Sequence, residues 1–298
     1  MNTDFIKGII PPVITPINDD ETINENALRG HIDFMIAGGI HGILAFGSNS
    51  EFYMLEEDET ETIMKIIIDQ VKGRVPVYMG VGAIKTGKCI RLAKLGVKLG
   101  ASGVSVLQPM FLKPTEDELY DHFKSIANSI PQTPMLIYNN PGRTGDPIPQ
   151  AVAEKLAHSV SNIAGIKDSG GDMTETMEFI RRNRDVNFRV LAGKDTLVYS
   201  TLDAGGAGAV CTTANFLPEL VCSIYEKYKN GDRKGSLEAQ YRLNPIRLAM
   251  DKSSFPVAAK DYANLLGRNI GKPFLPSKNS PCGQLENLEN ELKKAGFI

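Results

Sequence analysis

The sequence has no tryptophan, only four cysteines and only four histidines among 298 residues, and each scarcity removes a class of protein. Cys89, Cys211, Cys222 and Cys282 lie far apart with no CxxC pair, so neither a zinc ribbon nor a disulfide framework is expected, and the thiols read as reduced. His31, His41, His122 and His158 offer no HxH or HxxxH spacing, so no metal site is expected. Charge of one sign is also missing: 33 Lys and Arg against 35 Asp and Glu give a formal net charge of −2. Such a chain has no basic surplus with which to neutralise phosphates, which argues against a nucleic-acid partner. No apolar run approaches the roughly 20 residues that span a bilayer. Residues 1–7 lack the charged start and apolar core of a signal peptide. A cytoplasmic protein without a membrane partner is expected.

What the chain does contain is an apolar content of 42% and a charged content of 23%, the balance of a soluble globular protein. Short apolar runs occur at 8–15, 42–47, 75–82, 103–107, 134–138, 163–167, 188–193 and 208–212. Helical patterns lie between them, near 24–37, 56–72, 87–99, 115–130, 149–157, 173–183, and after Asp195 up to Gly205 and Gly206. Ile63, Ile66, Ile67 and Val71 fall at helical spacing behind acidic first turns, and Thr115 with Glu118 has the form of a capping box. Strand–helix alternation predicts a parallel sheet with crossover helices. Eight such units in about 215 residues predict a closed barrel rather than an open sheet. Beyond 217 only helical patterns follow, at 237–250, 255–266 and 285–295, with a proline-rich link at 271–276. The expected fold class is therefore α/β, a (β/α)8 TIM barrel over 1–224 with a C-terminal helical domain over 225–298.

In such a barrel chemistry sits at the C-terminal ends of the strands. The second run closes in Gly47-Ser48-Asn49-Ser50-Glu51, the fifth in Tyr138 and the loop to Gly145, the sixth in Lys167-Asp168-Ser169, and the eighth in Thr212-Thr213-Ala214-Asn215. Taken alone, Lys167 is a lysine that reaches solvent or pairs with Asp168. Tyr138 alone is a wall-filling aromatic, Arg143 a surface ion-pair partner, and Ser48 with its neighbours a capped turn into a helix. As a set they suit another chemistry. A buried amine is a nucleophile that forms a Schiff base with a ketone. Tyr138 is a proton shuttle for it. A turn entering a helix supplies N–H groups for a carboxylate, and Arg143 offers bidentate binding to a second anion. Gly205, Gly206 and Gly208 invite a phosphate cradle, but they precede the eighth strand and so lie at the opposite face, where a tight turn is expected.

At these residues the chain resembles the dihydrodipicolinate synthase / N-acetylneuraminate lyase family. Gly47-Ser48-Asn49-Ser50-Glu51 matches its G-[ST]-x-[GS]-E turn. Tyr138-Asn139-Asn140-Pro141-Gly142-Arg143-Thr144-Gly145 matches its Y-N-x-P-x-R-T-G motif, and Gly165-Ile166-Lys167-Asp168 its Schiff-base G-x-K-[DE]. The resemblance runs from about Ile9 to the C-terminus. It implies a (β/α)8 barrel with a helical extension, usually a homotetramer with a dimer as the alternative, and no metal or organic cofactor. It implies pyruvate bound as an imine on Lys167 and condensed with an aldehyde, Tyr138 moving protons together with the Ser48 hydroxyl. Backbone N–H groups of Ser48 and Asn49 would hold the pyruvate carboxylate, and Val210 would lie beside it. Arg143 matches the synthases, where it binds the carboxylate of aspartate semialdehyde.

The departures from the family pattern carry expectations too. The synthases usually have two threonines where this chain has Ser48 and Asn49. The relay tyrosine that a neighbouring subunit contributes falls on Phe111, which has no exchangeable proton. The positions that bind feedback lysine fall on Tyr53, Glu57, Ile84, Lys88 and Met110; apolar Ile84 and Met110 and cationic Lys88 suit an ammonium group poorly, so lysine inhibition is not expected. Ser48, and Phe52 after Glu51, also resemble 2-keto-3-deoxy sugar-acid aldolases, which is the alternative activity. A keto-acid sensor is a further alternative, disfavoured because binding alone needs no nucleophilic amine.

Overall fold

The computed structural model describes residues 2–298. Its eight strands are β1 (Gly8–Ile9), β2 (Ile43–Ala45), β3 (Val77–Val81), β4 (Gly103–Leu107), β5 (Met135–Asn139), β6 (Ile163–Asp168), β7 (Arg189–Ala192) and β8 (Gly208–Ala209). All pair in parallel, in the order β1-β8-β7-β6-β5-β4-β3-β2. Strands β2 to β6 are buried at every residue, which is why they read as continuous apolar runs rather than alternating ones.

The first run is much shorter as a strand than the expected 8–15. Pro11 and Pro12 have no N–H to donate, so the ladder stops after Ile9. Closure onto β2 is made by single bonds around the prolines instead. His41 N–H donates to the Ile9 carbonyl at 2.8 Å, Leu44 N–H to Pro11 at 3.0 Å, and Val13 N–H to Leu44 at 3.0 Å. The barrel is thereby closed, as expected.

The helices are α1 (Glu25–Ala37), α2 (Glu57–Val71), α3 (Thr86–Leu99), α4 (Glu116–Ser129), α5 (Pro141–Thr144), α6 (Gln150–Ser159), α7 (Met173–Arg182), α8 (Val198–Asp203), α9 (Pro218–Lys229), α10 (Arg233–Met250), α11 (Val257–Leu265) and α12 (Cys282–Lys294). Local sequence starts them. The Asn24 side chain accepts from Ala27 N–H at 3.0 Å, and Thr115 with Glu118 forms the expected capping box of α4. The single turn α5 has no periodic pattern and was not anticipated; Pro141 at its first position starts it. Helix α9 follows β8 and runs through residue 224, while α10 to α12 form the extension.

The core has two parts. Ile6, Ile10, Leu44, Tyr78, Leu136, Ala164, Leu191 and Val210 form one cluster, to which β2, β3, β5, β6 and β7 each contribute a residue, as in the filled interior of a barrel. A larger cluster lies between strands and helices and continues into the extension through Leu243, Tyr262 and Leu288. The glycines before β8 make a turn. Gly205 has φ +100°, and the N–H groups of Gly205, Gly206 and Ala207 all bond to carbonyls of the chain. No donor is left there for a phosphate.

Candidate active site

The pairing of β5 with β6 decides which side chains share the barrel mouth. Met135 lies opposite Ile163, but Leu136 lies opposite Gly165, so Ala164 is an extra residue in β6. This bulge puts Tyr138 opposite Lys167. Without it Lys167 would stand beside Asn139 and face the other way, since side chains alternate along a strand. Both residues are buried, and the Lys167 Nζ lies 3.8 Å from the Tyr138 ring centroid. Asp168 is not the partner of Lys167. Its Oδ1 accepts from Asn139 at 2.8 Å and from Gly170 N–H at 3.0 Å, and its Oδ2 accepts from Thr176 at 2.6 Å.

Burial alone raises the pKa of the Tyr138 phenol. The Lys167 ammonium and the hydroxyls of Ser48 and Ser169 outweigh burial, and the net direction is down from the ordinary phenol value. The Tyr138 hydroxyl lies 3.5 Å from Ser48 Oγ and accepts a hydrogen bond from Asn140 Nδ2 at 2.8 Å. Tyr138 is therefore held from both sides in a position to give or take a proton.

Ser48 and Asn49 open a 3₁₀ turn, Ser48–Ser50. The N–H groups of Ser50 and Glu51 bond back to Gly47 and Ser48, while those of Ser48 and Asn49 find no acceptor among the described residues. Two adjacent free donors on the cavity that Lys167 also lines could accept a carboxylate. The Asn49 side chain is occupied, donating to Thr212 Oγ1 at 2.8 Å. Glu51 ends the turn in the left-handed region, at φ 56°. Its carboxylate pairs with Lys260 of α11 at 2.7 Å, with the two side chains 1% and 0% exposed. Phe274 N–H donates to Glu51 at 3.0 Å, and Lys260 donates to the Lys272 carbonyl at 2.8 Å. Burial pushes the Lys260 pKa down against the charge of Glu51. The helical extension thus braces the turn that carries Ser48 and Asn49.

A cavity of about 490 Å³ opens over these groups. Lys167, Tyr138, Ser48, Asn49, Arg143 and Val210, the six residues singled out in the sequence, all line it. Arg143 lies on α5, its guanidinium 4.4 Å from the Phe255 ring. Asn140, Thr212, Lys194, Asp195 and Arg247 also line the cavity and were not identified beforehand as functional. Asn140 and Thr212 stood inside quoted motifs, so a signal existed for them. Arg247, on α10, and the Glu51–Lys260 pair had none, because nothing local in a sequence reports a contact between distant segments.

Phe111 is outside the cavity. It is 98% exposed, with φ 73°. Tyr53, Glu57, Ile84, Lys88 and Met110 come together around a separate cavity of about 360 Å³ that also contains Lys85.

Comparison with known proteins identifies one family. The model of the dihydrodipicolinate synthetase family matches residues 5–295. The 4-hydroxy-tetrahydrodipicolinate synthase of Methanopyrus kandleri is 34% identical over 294 residues, 98% of this chain and 97% of its own. The structure of YagE, a prophage protein from E. coli K12 in complex with pyruvate, superposes with a TM-score of 0.94 at 29% identity, over 98% of this chain and 99% of its own. A monomeric dihydrodipicolinate synthase variant superposes with a TM-score of 0.95 at 28% identity, over 99% of both chains.

Proposed function

This chain belongs to the dihydrodipicolinate synthetase family, and from that membership we propose that it is a 4-hydroxy-tetrahydrodipicolinate synthase, condensing pyruvate with L-aspartate 4-semialdehyde. The family is one of class I, Schiff-base lyases. The observation that carries the proposal is the buried Lys167–Tyr138 pair, 3.8 Å from Nζ to ring centroid, beside two free backbone donors.

In this reading the free N–H groups of Ser48 and Asn49 hold the pyruvate carboxylate, and Val210 packs against the substrate. Lys167 attacks the keto carbon, and loss of water leaves an imine. Tyr138, with Ser48 behind it, carries the protons of that dehydration and of the methyl deprotonation that makes the enamine. The enamine carbon attacks the aldehyde, whose own carboxylate is held by Arg143. No metal or organic cofactor has a role. Borohydride reduction with pyruvate, followed by mass spectrometry, is expected to leave a pyruvyl adduct on Lys167. An unmodified Lys167 under saturating pyruvate rules the mechanism out and leaves the keto-acid sensor. Retention of full semialdehyde activity in Arg143→Ala removes the reason for choosing this aldehyde.

A second reading is cleavage of a 2-keto-3-deoxy sugar acid. It is favoured by Phe111, which presents no hydroxyl to complete a synthase-type relay, and by the polar outer wall of Lys194, Asp195 and Asp251. Comparing pyruvate release from 2-keto-3-deoxygluconate with condensation onto the semialdehyde separates the two. We further propose a cytoplasmic protein that assembles as a homotetramer or dimer. Phe111, 98% exposed beside the half-exposed Leu112, supports a face covered by a second copy. Lysine inhibition is not expected, since Lys85 and Lys88 stand where an ammonium group would bind.

A further inference from the structure

In the pyruvate-imine reading, pyruvate is small and takes only the part of the cavity at Lys167, Ser48 and Asn49. The outer wall is left for the second substrate, and part of it comes from the helical extension. Arg247, in the last turn of α10, lines the cavity with its side chain only 15% exposed. A guanidinium has five N–H donors. Arg247 uses one, from Nη1 to Asp251 Oδ1 at 2.7 Å, and makes no other hydrogen bond among the described residues.

Two structural roles for Arg247 are incomplete. Neutralising Asp195 needs no contact with it, and that carboxylate is already satisfied by Thr212 N–H at 3.2 Å, Thr213 N–H at 2.7 Å and Thr213 Oγ1 at 2.6 Å. Capping α10 would require bonds to its last carbonyls, and Arg247 makes none. The spare Arg247 donors are not sealed inside the protein, and the residue lines the cavity, so a carboxylate there can replace water on them. The charged groups facing it are Asp195 and Asp251, with Lys194, Lys167 and Arg143 on the same cavity. Burial lowers the Arg247 pKa but Asp195 and Asp251 outweigh it, so the group stays charged.

We infer that Arg247 is a specificity-determining residue of the aldehyde subsite, acting with Arg143 to select an aldehyde that carries a carboxylate at its far end. The inference rests on the pyruvate-imine reading of Lys167 but not on which anionic aldehyde is used. It also gives the extension a part in substrate choice, since α10 lies outside the barrel.

The test compares Arg247→Gln, Arg247→Lys, Arg143→Ala and wild type with two aldehydes of equal chain length, succinic semialdehyde and neutral butanal. Arg247→Gln is expected to lower the preference for the anionic over the neutral aldehyde, as a ratio of kcat/KM, by about tenfold or more, the loss of a charge-assisted hydrogen bond. The loss appears in KM for the anionic aldehyde, and Arg247→Lys recovers part of it. The yield of borohydride-trapped pyruvyl adduct on Lys167 holds in the variant. An equal fall for both aldehydes, or an unchanged ratio in both Arg247 variants, overturns the inference. Failure of the pyruvate reading shows separately, as no adduct in the wild type.

Discussion

Lys260→Met tests the brace without touching the reacting groups. Glu51 and Lys260 are 1% and 0% exposed, and the substitution leaves the Glu51 carboxylate buried with only the Phe274 amide as partner. Breaking a buried pair on one side costs about 3–5 kcal/mol, because the remaining charge is uncompensated. At about 2 °C per kcal/mol for a chain of this size, Tm should fall by roughly 6–10 °C. The effect on function follows from position. Glu51, with its backbone in the left-handed region, closes the turn whose first two N–H groups are free and, in the proposed reading, hold the pyruvate carboxylate. A loosened turn misaligns the carboxylate site while Lys167 and Tyr138 keep their register on β6 and β5. KM for pyruvate should therefore rise about tenfold with kcat within about threefold. Thermal melts monitored by circular dichroism and steady-state kinetics measure both. The double variant Glu51→Gln/Lys260→Met removes both charges and keeps an acceptor for Phe274 N–H. It should recover at least half of the lost Tm. A melt for Lys260→Met within about 2 °C of wild type, or a double variant no more stable than the single one, would refute the reasoning.

Tyr138→Phe keeps the ring beside Lys167 but removes the proton shuttle, so kcat should fall by about 10²–10⁴-fold. The alkaline limb of the kcat/KM profile should lie below the ordinary phenol range and vanish in the variant; an unchanged profile counts against the assignment. Gly165→Ala should disturb the bulge that sets the catalytic register, because a Cβ there runs into the Arg189 carbonyl of β7. The expected loss is about 1–3 kcal/mol in urea unfolding together with weaker borohydride trapping; wild-type behaviour in both shows that the strands part without consequence. Acid should destabilise the fold. Burial holds His31 and His122 at about 4. The unfolded chain therefore binds more protons between pH 6.5 and 4, and stability present above pH 6.5 is lost as pH falls through 4, by roughly 3 kcal/mol per histidine. His31→Gln should flatten the slope of unfolding free energy against pH in that window, and an identical slope argues against a buried neutral imidazole.

The fold was legible because its signals are local. Strands β2 to β6 are buried on both faces and therefore read as apolar runs, and caps such as Asn24 and Thr115 act within one helical turn. Counting such runs needs no knowledge of what they touch. Detail was lost where the signal is short or mixed: α5 is too short to show a period, and in the first run the apolar pattern masks Pro11 and Pro12, whose missing donors end the ladder.

The chemistry divides the same way. Lys167, Tyr138, Ser48, Asn49 and Arg143 could be named from strand ends and motifs, because a parallel barrel brings the ends of all its strands to one mouth; Val210 came only from the family resemblance. What the sequence could not show is why Lys167 faces Tyr138. That depends on one extra residue in β6, and a bulge is a property of two strands paired, not of either alone. The same holds for Lys260 beside Glu51 and for Arg247 on the cavity that Arg143 also lines. Both come from helices outside the barrel, and their contacts exist only once the chain has closed on itself. The residues proposed to react are set by sequence, whereas the register, the buried charge and the outer wall that surround them were decided by tertiary packing.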